Sequence, residues 1–239
     1  MTHKAPAEIG EQYDAFHETL DKHGFAPFTT GQYGSTHEQN ITVRINRGVP
    51  PIEPGQTILD AGCGTGAVLA RLADLHPEAN LIGVNISKAQ LDAAEQRDNI
   101  TYHNTSFTDI TPIHDASVDG IYALESLGYA PLDDVYAEFA RILKPGGWIS
   151  VQDLGIVDDP DADQAAAIKQ MREAWSYSFA SIAAHLHAAK RHGLAPVRVI
   201  GNVTEWLNFD AMAAVMPYMP HTPDTRGLKF FEYILIKPE

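Results

Sequence analysis

The chain has 239 residues and a formal net charge of −14, and 44% of its residues are hydrophobic while 20% are charged. This length suits one domain with a helical cap, and the composition is that of an ordinary globular protein. The acidic balance disfavours DNA or RNA as a partner, because a nucleic-acid binder needs a basic surface.

Cys63 is the one cysteine, so the sequence excludes an internal disulfide framework and fits a reducing compartment. We find no apolar run of roughly 18 residues that would span a membrane. The polar N-terminus lacks the apolar region of a secretory signal. We therefore expect a soluble, cytoplasmic protein with no membrane span.

In chain order, two helices are predicted first. Residues 8–23 place four apolar side chains on one helical face, namely Ile9, Tyr13, Phe16 and Leu20. A second helix is predicted over 38–47, and it ends before Pro50.

From residue 57 onward, short apolar runs alternate with segments of helical periodicity. Strands are predicted over 57–61, 81–85, 100–103, 118–124, 148–153, 196–200 and 230–236. Helices are predicted over 65–76, 87–95 with Ser87 as N-cap, 132–142, and as one long helix over 164–192. This alternation predicts a mainly parallel sheet that is covered on both faces and binds ligands at the carboxyl ends of its strands.

A glycine-rich loop follows the first strand and opens the next helix. Gly62, Gly64 and Gly66 permit positive φ angles and remove side chains where a ligand must touch the backbone. Such a loop suits either the pyrophosphate of a dinucleotide or the zwitterionic amino-acid part of S-adenosylmethionine. Asp60 favours the second ligand, because a carboxylate repels a pyrophosphate and attracts an ammonium group.

Four segments together resemble the class I S-adenosylmethionine-dependent methyltransferases: LDAGCGTG at 59–66, GVNIS at 83–87, SVDGIYALES at 117–126 and LKPGG at 143–147. The resemblance implies an α/β, Rossmann-like fold with a seven-stranded, mostly parallel sheet and helices on both faces. It also implies an N-terminal helical lid, residues 1–50, on a methyltransferase core, residues 51–239.

The resemblance implies a set of residues around S-adenosylmethionine. The candidates are Asp60, Ala61, Gly62, Cys63, Gly64 and Gly66 in the loop, Asn85, Ile86 and Gln90 beside the nucleoside, Ser106 and Phe107 near the adenine amino group, Leu124 under the cofactor, and Tyr13 and Tyr33 from the lid. Relatives carry an acidic residue where this chain has Asn85, and an amide can still bond a ribose diol without the strength of a charge.

The pair Glu125-Ser126 resembles the sterol and geranyl-diphosphate C-methyltransferases. In that group an alkene attacks the methyl group, a glutamate removes a proton, and aromatic faces stabilise the cation. The resemblance therefore implies methyl transfer to a small molecule, in its sharper form C-methylation of an isoprenoid alkene of the prenyl-diphosphate type, with Glu125 as the candidate base. Aromatic candidates for the acceptor pocket are Tyr122, Tyr129, Trp175, Tyr177, Phe179, Trp206 and Phe209.

A diphosphate acceptor would need cations. Candidates are Arg44, Arg47, Arg191, Arg198, Arg226 and Lys229, which more often form solvated surface, or a bridging Mg²⁺. The sequence contains no dedicated metal-ligand cluster.

Several alternatives stay open. Glu125 has a structural alternative, in which it bonds a cap residue or the cofactor. The reaction has two alternatives: O- or N-methylation of a natural product or sugar, and nicotinamide-dependent oxidation. We expect a small-molecule acceptor as partner, and the sequence leaves a homodimer open.

Overall fold

A computed structural model describes residues 4–22, 37–201 and 226–239. Its sheet has seven strands in the order β3-β2-β1-β4-β5-β7-β6. The strands are β1 Thr57–Ala61, β2 Asn80–Asn85, β3 Ile100–Asn104, β4 Val118–Leu124, β5 Leu143–Ile156, β6 Ala195–Ile200 and β7 Leu228–Ile236. Strands β1 to β5 pair in parallel, whereas β7 is antiparallel to both β5 and β6. The predicted Rossmann-like, mostly parallel sheet is confirmed.

Helices cover both faces of this sheet. Successive side chains of a strand point to opposite faces, so each face carries apolar side chains that helices bury. The helices are α1 Pro6–Lys22, α2 His37–Gly48, α3 Ala67–Leu75, α4 Lys88–Asp92, α5 Leu132–Ile142, α6 Ala162–Trp175 and α7 Ile182–Arg191, with a short 3₁₀ helix at Leu127–Tyr129. Leu59 packs in the cluster formed with α5 and α7, whereas its neighbour Ile58 packs in the cluster formed with α2 and α3. Among the described residues, no helix is both long and apolar enough to cross a membrane.

The predicted helix over 164–192 is wrong, because the chain leaves the helical path between α6 and α7. Ser176 and Phe179 have positive φ angles of 55° and 45°. Ser178 N–H donates to Gly128 O over 2.8 Å, and Ser181 caps α7 by accepting from Ala184 N–H. The apolar spacing runs through this break without Gly or Pro. Tertiary contacts, rather than a local breaker, therefore end α6.

Helix α1 lies against the start of α4. A Cβ atom at Gly10 would stand 2.9 Å from the Ile86 carbonyl oxygen, so the two segments are in close contact. Asp14 Oδ1 accepts hydrogen bonds from Ser87 Oγ at 2.6 Å and Ala89 N–H at 3.1 Å. Ser87 also accepts from Gln90 N–H, as its predicted role as N-cap requires. The division into a lid, residues 1–50, and a core, residues 51–239, stays a prediction.

We predict that Asp14→Ala loosens α1 from α4. The substitution removes the acceptor of two hydrogen bonds, so the free energy of opening α1 should fall by about 1–2 kcal/mol. Hydrogen exchange of residues 6–22 should then become roughly tenfold faster, while exchange of the central strands stays unchanged. Glu18→Ala is the matched control, because Glu18 is exposed on the same helix and has no hydrogen bond among the described residues. Equal exchange in the two variants would contradict the docking role of Asp14.

Candidate active site

A cavity of about 220 Å³ lies at the carboxyl ends of β1, β2 and β4. Helix α1 contributes Ile9, Tyr13, Phe16 and His17 to its wall. The remaining lining residues come from the glycine loop, the β2–α4 segment and the ends of β4 and β5, with contributions from α2, α3, Phe107 and the α6–α7 connection. The site therefore sits where ligands bind in open parallel sheets.

The three loop glycines do different things. Gly62, Gly64 and Gly66 all have positive φ angles, of 84°, 56° and 75°. A Cβ atom at Gly62 would stand 2.6 Å from Ser126 Cβ, and one at Gly66 would stand 2.3 Å from the Tyr102 hydroxyl oxygen. A Cβ atom at Gly64 would meet only Gln90 Oε1, at 4.0 Å. Gly64 alone therefore leaves space on the cavity side, while the other two glycines are required by packing.

Asp60 is the second-last residue of β1, and its carboxyl group is buried. The residue is 2% exposed and faces the cavity, and burial raises its pKa to about 7. Among the described residues no group forms a hydrogen bond with it. Burial, and to a smaller extent Asp60 itself, also raises the pKa of the Cys63 thiol. A buried carboxylate without a protein partner is costly and favours a cationic ligand group beside it.

Asn85 lies at the end of β2 and is hydrogen-bonded to the glycine-rich loop. Its Nδ2 donates to Gly64 O at 3.3 Å and to Gln90 Oε1 at 2.8 Å. Asn104 Nδ2 donates to the carbonyl oxygens of Asn85 and Ile86, at 2.9 and 3.0 Å. This role of Asn104 was not predicted from the sequence, although an amide at the end of the neighbouring strand could have indicated it.

Glu125 follows β4 and lines the cavity. Its φ angle is 51°, in the left-handed region that non-glycine residues rarely adopt. Arg44 Nη2 donates to Glu125 Oε1 at 2.7 Å, and the side chain of Arg44 is fully buried while that of Glu125 is 13% exposed. The Arg44 guanidinium also lies 5.1 Å from the centre of the Phe230 ring. The expectation that Arg44 belongs to the solvated surface is wrong, because Arg44 is fully buried and joins α2 to a carboxylate of the cavity wall.

Aromatic side chains form the wall beyond Glu125. The hydroxyl groups of Tyr13 and Tyr129 are hydrogen-bonded. The rings of Tyr129 and Tyr177 meet edge to face at 4.6 Å, and those of Tyr177 and Phe179 lie 4.7 Å apart. Tyr177, Phe179, Leu154 and Phe16 make this end of the cavity predominantly apolar. Of the other aromatic candidates, Tyr122 is buried against β5, while Trp206, Phe209 and the side chain of Trp175 lie outside the described residues.

Asp153 on β5 supports this wall from behind. It accepts hydrogen bonds from the Tyr177 hydroxyl, Leu127 N–H and Leu154 N–H, the last two over 3.2 and 2.7 Å. Burial raises its pKa to about 7, against the lowering effect of these donors. Asp153 was not predicted from the sequence as a site residue, although a carboxylate within the apolar strand next to β4 could have indicated it.

Most of the predicted site residues meet at the cavity, and three do not. Its wall includes Tyr13, Asp60, Gly62, Cys63, Gly64, Asn85, Ile86, Gln90, Phe107, Leu124 and Glu125. Ala61 and Gly66 lie behind the wall, and Ser106 bonds Thr108 Oγ1 at 2.8 Å instead. Tyr33 is outside the described residues. In the part of the chain that the structure describes, no three His, Cys, Asp or Glu side chains group so as to hold a metal ion.

Methyltransferases are similar to this chain in sequence. The family model of the methyltransferase domain matches residues 58–147. The 27-O-demethylrifamycin SV methyltransferase of Amycolatopsis mediterranei (strain S699) is 32% identical over 190 residues, which are 72% of this chain and 67% of that protein. The 24-methylenesterol C-methyltransferase 2 of Arabidopsis thaliana is 32% identical over 133 residues, which are 50% of this chain and 36% of that protein.

A solved structure has the same fold. Geranyl diphosphate C-methyltransferase from Streptomyces coelicolor A3(2), in complex with Mg²⁺, geranyl diphosphate and S-adenosyl-L-homocysteine, matches with a TM-score of 0.74 and 18% identity over 98% of this chain and 99% of that chain. At this identity the likeness shows the fold alone. Together, the matched domain and the aligned rifamycin relative show that this chain belongs to the class I S-adenosylmethionine-dependent methyltransferase family.

Proposed function

We propose that this chain transfers a methyl group from S-adenosylmethionine to a small, largely apolar molecule. The observation that carries the cofactor assignment is the pairing of an open Gly64 with the buried Asp60, which has no hydrogen-bond partner among the described residues. A zwitterionic amino acid fits beside Asp60 and Gly64. Its ammonium group compensates the Asp60 carboxylate, and its other atoms fit in the space that Gly64 leaves open. A pyrophosphate does not fit it, because two anions would then share one buried site.

The remaining cofactor contacts follow from the cavity wall. Asn85 and Gln90 supply the amides for the ribose hydroxyls, and their mutual hydrogen bond would open to admit the diol. Ile86 packs on the adenine, and the backbone N–H of Phe107 donates a hydrogen bond to an adenine ring nitrogen. Leu124 lies under the methionine part. When bound, the cofactor supplies a sulfonium whose methyl group is electrophilic.

For the acceptor, we propose attack by an alkene carbon of an isoprenoid, with Glu125 as the base. Such an attack leaves a carbocation on the acceptor, and a carboxylate must then remove a proton. The faces of Tyr129, Tyr177 and Phe179 would stabilise that cation, because aromatic faces carry negative electrostatic potential. Arg44 would position the Glu125 carboxylate through their ion pair.

O-methylation is the second candidate. It is favoured by the rifamycin relative, whose name describes methylation at oxygen. The hydroxyl groups of Tyr13 and Tyr129 also offer partners for an acceptor hydroxyl. Glu125 would then take the proton of that hydroxyl. A nicotinamide-dependent reaction is not proposed, since the family is that of methyltransferases and Asn85 replaces the acid that such enzymes use.

We predict that S-adenosylhomocysteine stabilises the fold. At 100 times its dissociation constant, the free energy of unfolding should rise by about 2.7 kcal/mol. Gly64→Val should abolish this gain, because a branched side chain would fill the ligand's path.

Gly55→Val is the matched control for backbone strain. Gly55 also has a positive φ angle, of 79°, and faces open space outside the cavity. Both variants should lose stability, but only Gly55→Val should keep the ligand-induced rise in melting temperature. No shift in the wild type at millimolar ligand would refute the cofactor assignment.

We predict that Glu125→Gln lowers turnover on an isoprenoid alkene by about 10²–10⁴-fold, the usual contribution of a positioned base. Affinity for S-adenosylhomocysteine should stay near that of the wild type. Glu125→Asp should recover part of the turnover because it keeps a carboxylate. The assay is transfer of labelled methyl, with separation of products, since an unquenched cation would give rearranged or hydrated species.

Asp119→Asn is the control for this series. Asp119 lies at the opposite end of β4, where it pairs with Lys144 at 2.8 Å, so its loss should leave turnover unchanged. Full turnover in Glu125→Gln would make Glu125 structural and remove the main support for C-methylation. A joint fall of turnover and cofactor affinity would assign Glu125 to the cofactor instead.

A further inference from the structure

The distribution of basic residues restricts the acceptor. The chain has 17 Lys and Arg residues, and the segments 1–3, 23–36 and 202–225 contain none of them. All of them therefore lie in the part of the chain that the structure describes, and none lines the cavity. Two arginines contact lining residues from behind: the fully buried guanidinium of Arg44 pairs with Glu125, and Arg172 donates to the carbonyl oxygen of Phe179.

The acids are distributed in the opposite way. Asp60 and Glu125 line the cavity, and Asp153 bonds the hydroxyl of the lining residue Tyr177. The ion pair with Arg44 offsets the charge of Glu125 and leaves the acceptor end of the cavity without an uncompensated cation. Asp60 is assigned to the ammonium group of the cofactor and Glu125 pairs with Arg44, so an anionic head group in this low-dielectric space would find no Lys or Arg to compensate its own charge. Burying an uncompensated anion is costly.

We infer that the acceptor is an uncharged, predominantly apolar molecule and that a prenyl diphosphate is excluded as substrate. This inference rests on the proposed function and narrows its substrate class. The ion pair between Arg44 and Glu125 then determines specificity. Among the described residues, Arg44 is the only arginine that pairs with Glu125 in the cavity wall, and this pairing makes its charge unavailable to the acceptor. The ring faces of Tyr129, Tyr177 and Phe179 supply the surface that an apolar acceptor covers.

The test uses two matched pairs of probes that differ only in the charge of the head group. Geraniol is compared with geranyl diphosphate, and 2-naphthol with 2-naphthyl phosphate. Each probe is titrated calorimetrically into the full chain saturated with S-adenosylhomocysteine, with and without Mg²⁺. The uncharged member of at least one pair should bind tenfold or more tightly than its anionic partner under both conditions.

His17→Arg is the matched variant. His17 lies on α1 and lines the cavity, and the substitution adds a permanent cation there. The variant should reduce the preference for the uncharged probe by roughly tenfold if charge balance sets the preference. An unchanged preference would show that shape, rather than charge, discriminates, and would overturn the inference.

Two further results would overturn the inference. The first is wild-type binding of an anionic probe as tight as that of its uncharged partner, with or without Mg²⁺. The second is binding of neither uncharged probe. Failure of S-adenosylhomocysteine itself to bind would be a separate result, which refutes the proposed function.

Discussion

The burial of carboxylates at one edge of the sheet is the constraint on which the site depends. Strands β1, β4 and β5 are neighbours and run in parallel, so their carboxyl ends meet at the same edge. They bring Asp60, Glu125 and Asp153 to that edge, and all three are largely removed from water. A carboxylate in such surroundings needs a cation or hydrogen-bond donors, or it takes up a proton.

Each of the three acids meets this requirement differently. Glu125 pairs with Arg44, which fixes α2 against the end of β4. Asp153 accepts from two backbone N–H groups and from Tyr177, which fixes the connection between α6 and α7. Asp60 has neither kind of partner among the described residues. The same electrostatic requirement therefore fixes the wall of the cavity at two positions, and at the third it favours the cationic ligand group that we propose.

The sequence predicted the central sheet because its strands are short apolar runs with alternating helices between them. The ends of β1 and β4 were predicted at the observed residues. The glycine loop and Glu125 were found for a similar reason, since their roles are local in the chain. The distant partners could not be found in this way. Arg44 is 81 positions from Glu125, and nothing in the periodicity of α2 says which strand end its guanidinium meets.

The break between α6 and α7 was missed for a related reason. Its residues continue the apolar spacing of a helix, and the segment changes direction because Tyr177 reaches Asp153 and Ser178 reaches Gly128. Such contacts exist only once β4 and β5 are paired. Local propensity was therefore overridden by tertiary structure. The change of direction brings Tyr177 and Phe179 to the cavity. The wrong prediction of one helix over 164–192 and the failure to predict the role of Asp153 therefore have one cause.

We propose above all that the Asp60 carboxylate binds the ammonium group of the cofactor. Burial raises the pKa of Asp60 to about 7, so in the free protein the carboxyl group is protonated below that pH. A bound ammonium group favours the ionised form, and binding below pH 7 must therefore release a proton. The decisive measurement is the dissociation constant of S-adenosylhomocysteine between pH 5.5 and 8 in the wild type, Asp60→Asn and Asp153→Asn. The account predicts that wild-type affinity rises with pH, by up to roughly tenfold per unit below pH 7, and then levels off. It predicts the same profile for Asp153→Asn, and a weaker, pH-independent affinity for Asp60→Asn. A wild-type affinity that is independent of pH, or an Asp60→Asn profile equal to that of the wild type, would contradict it.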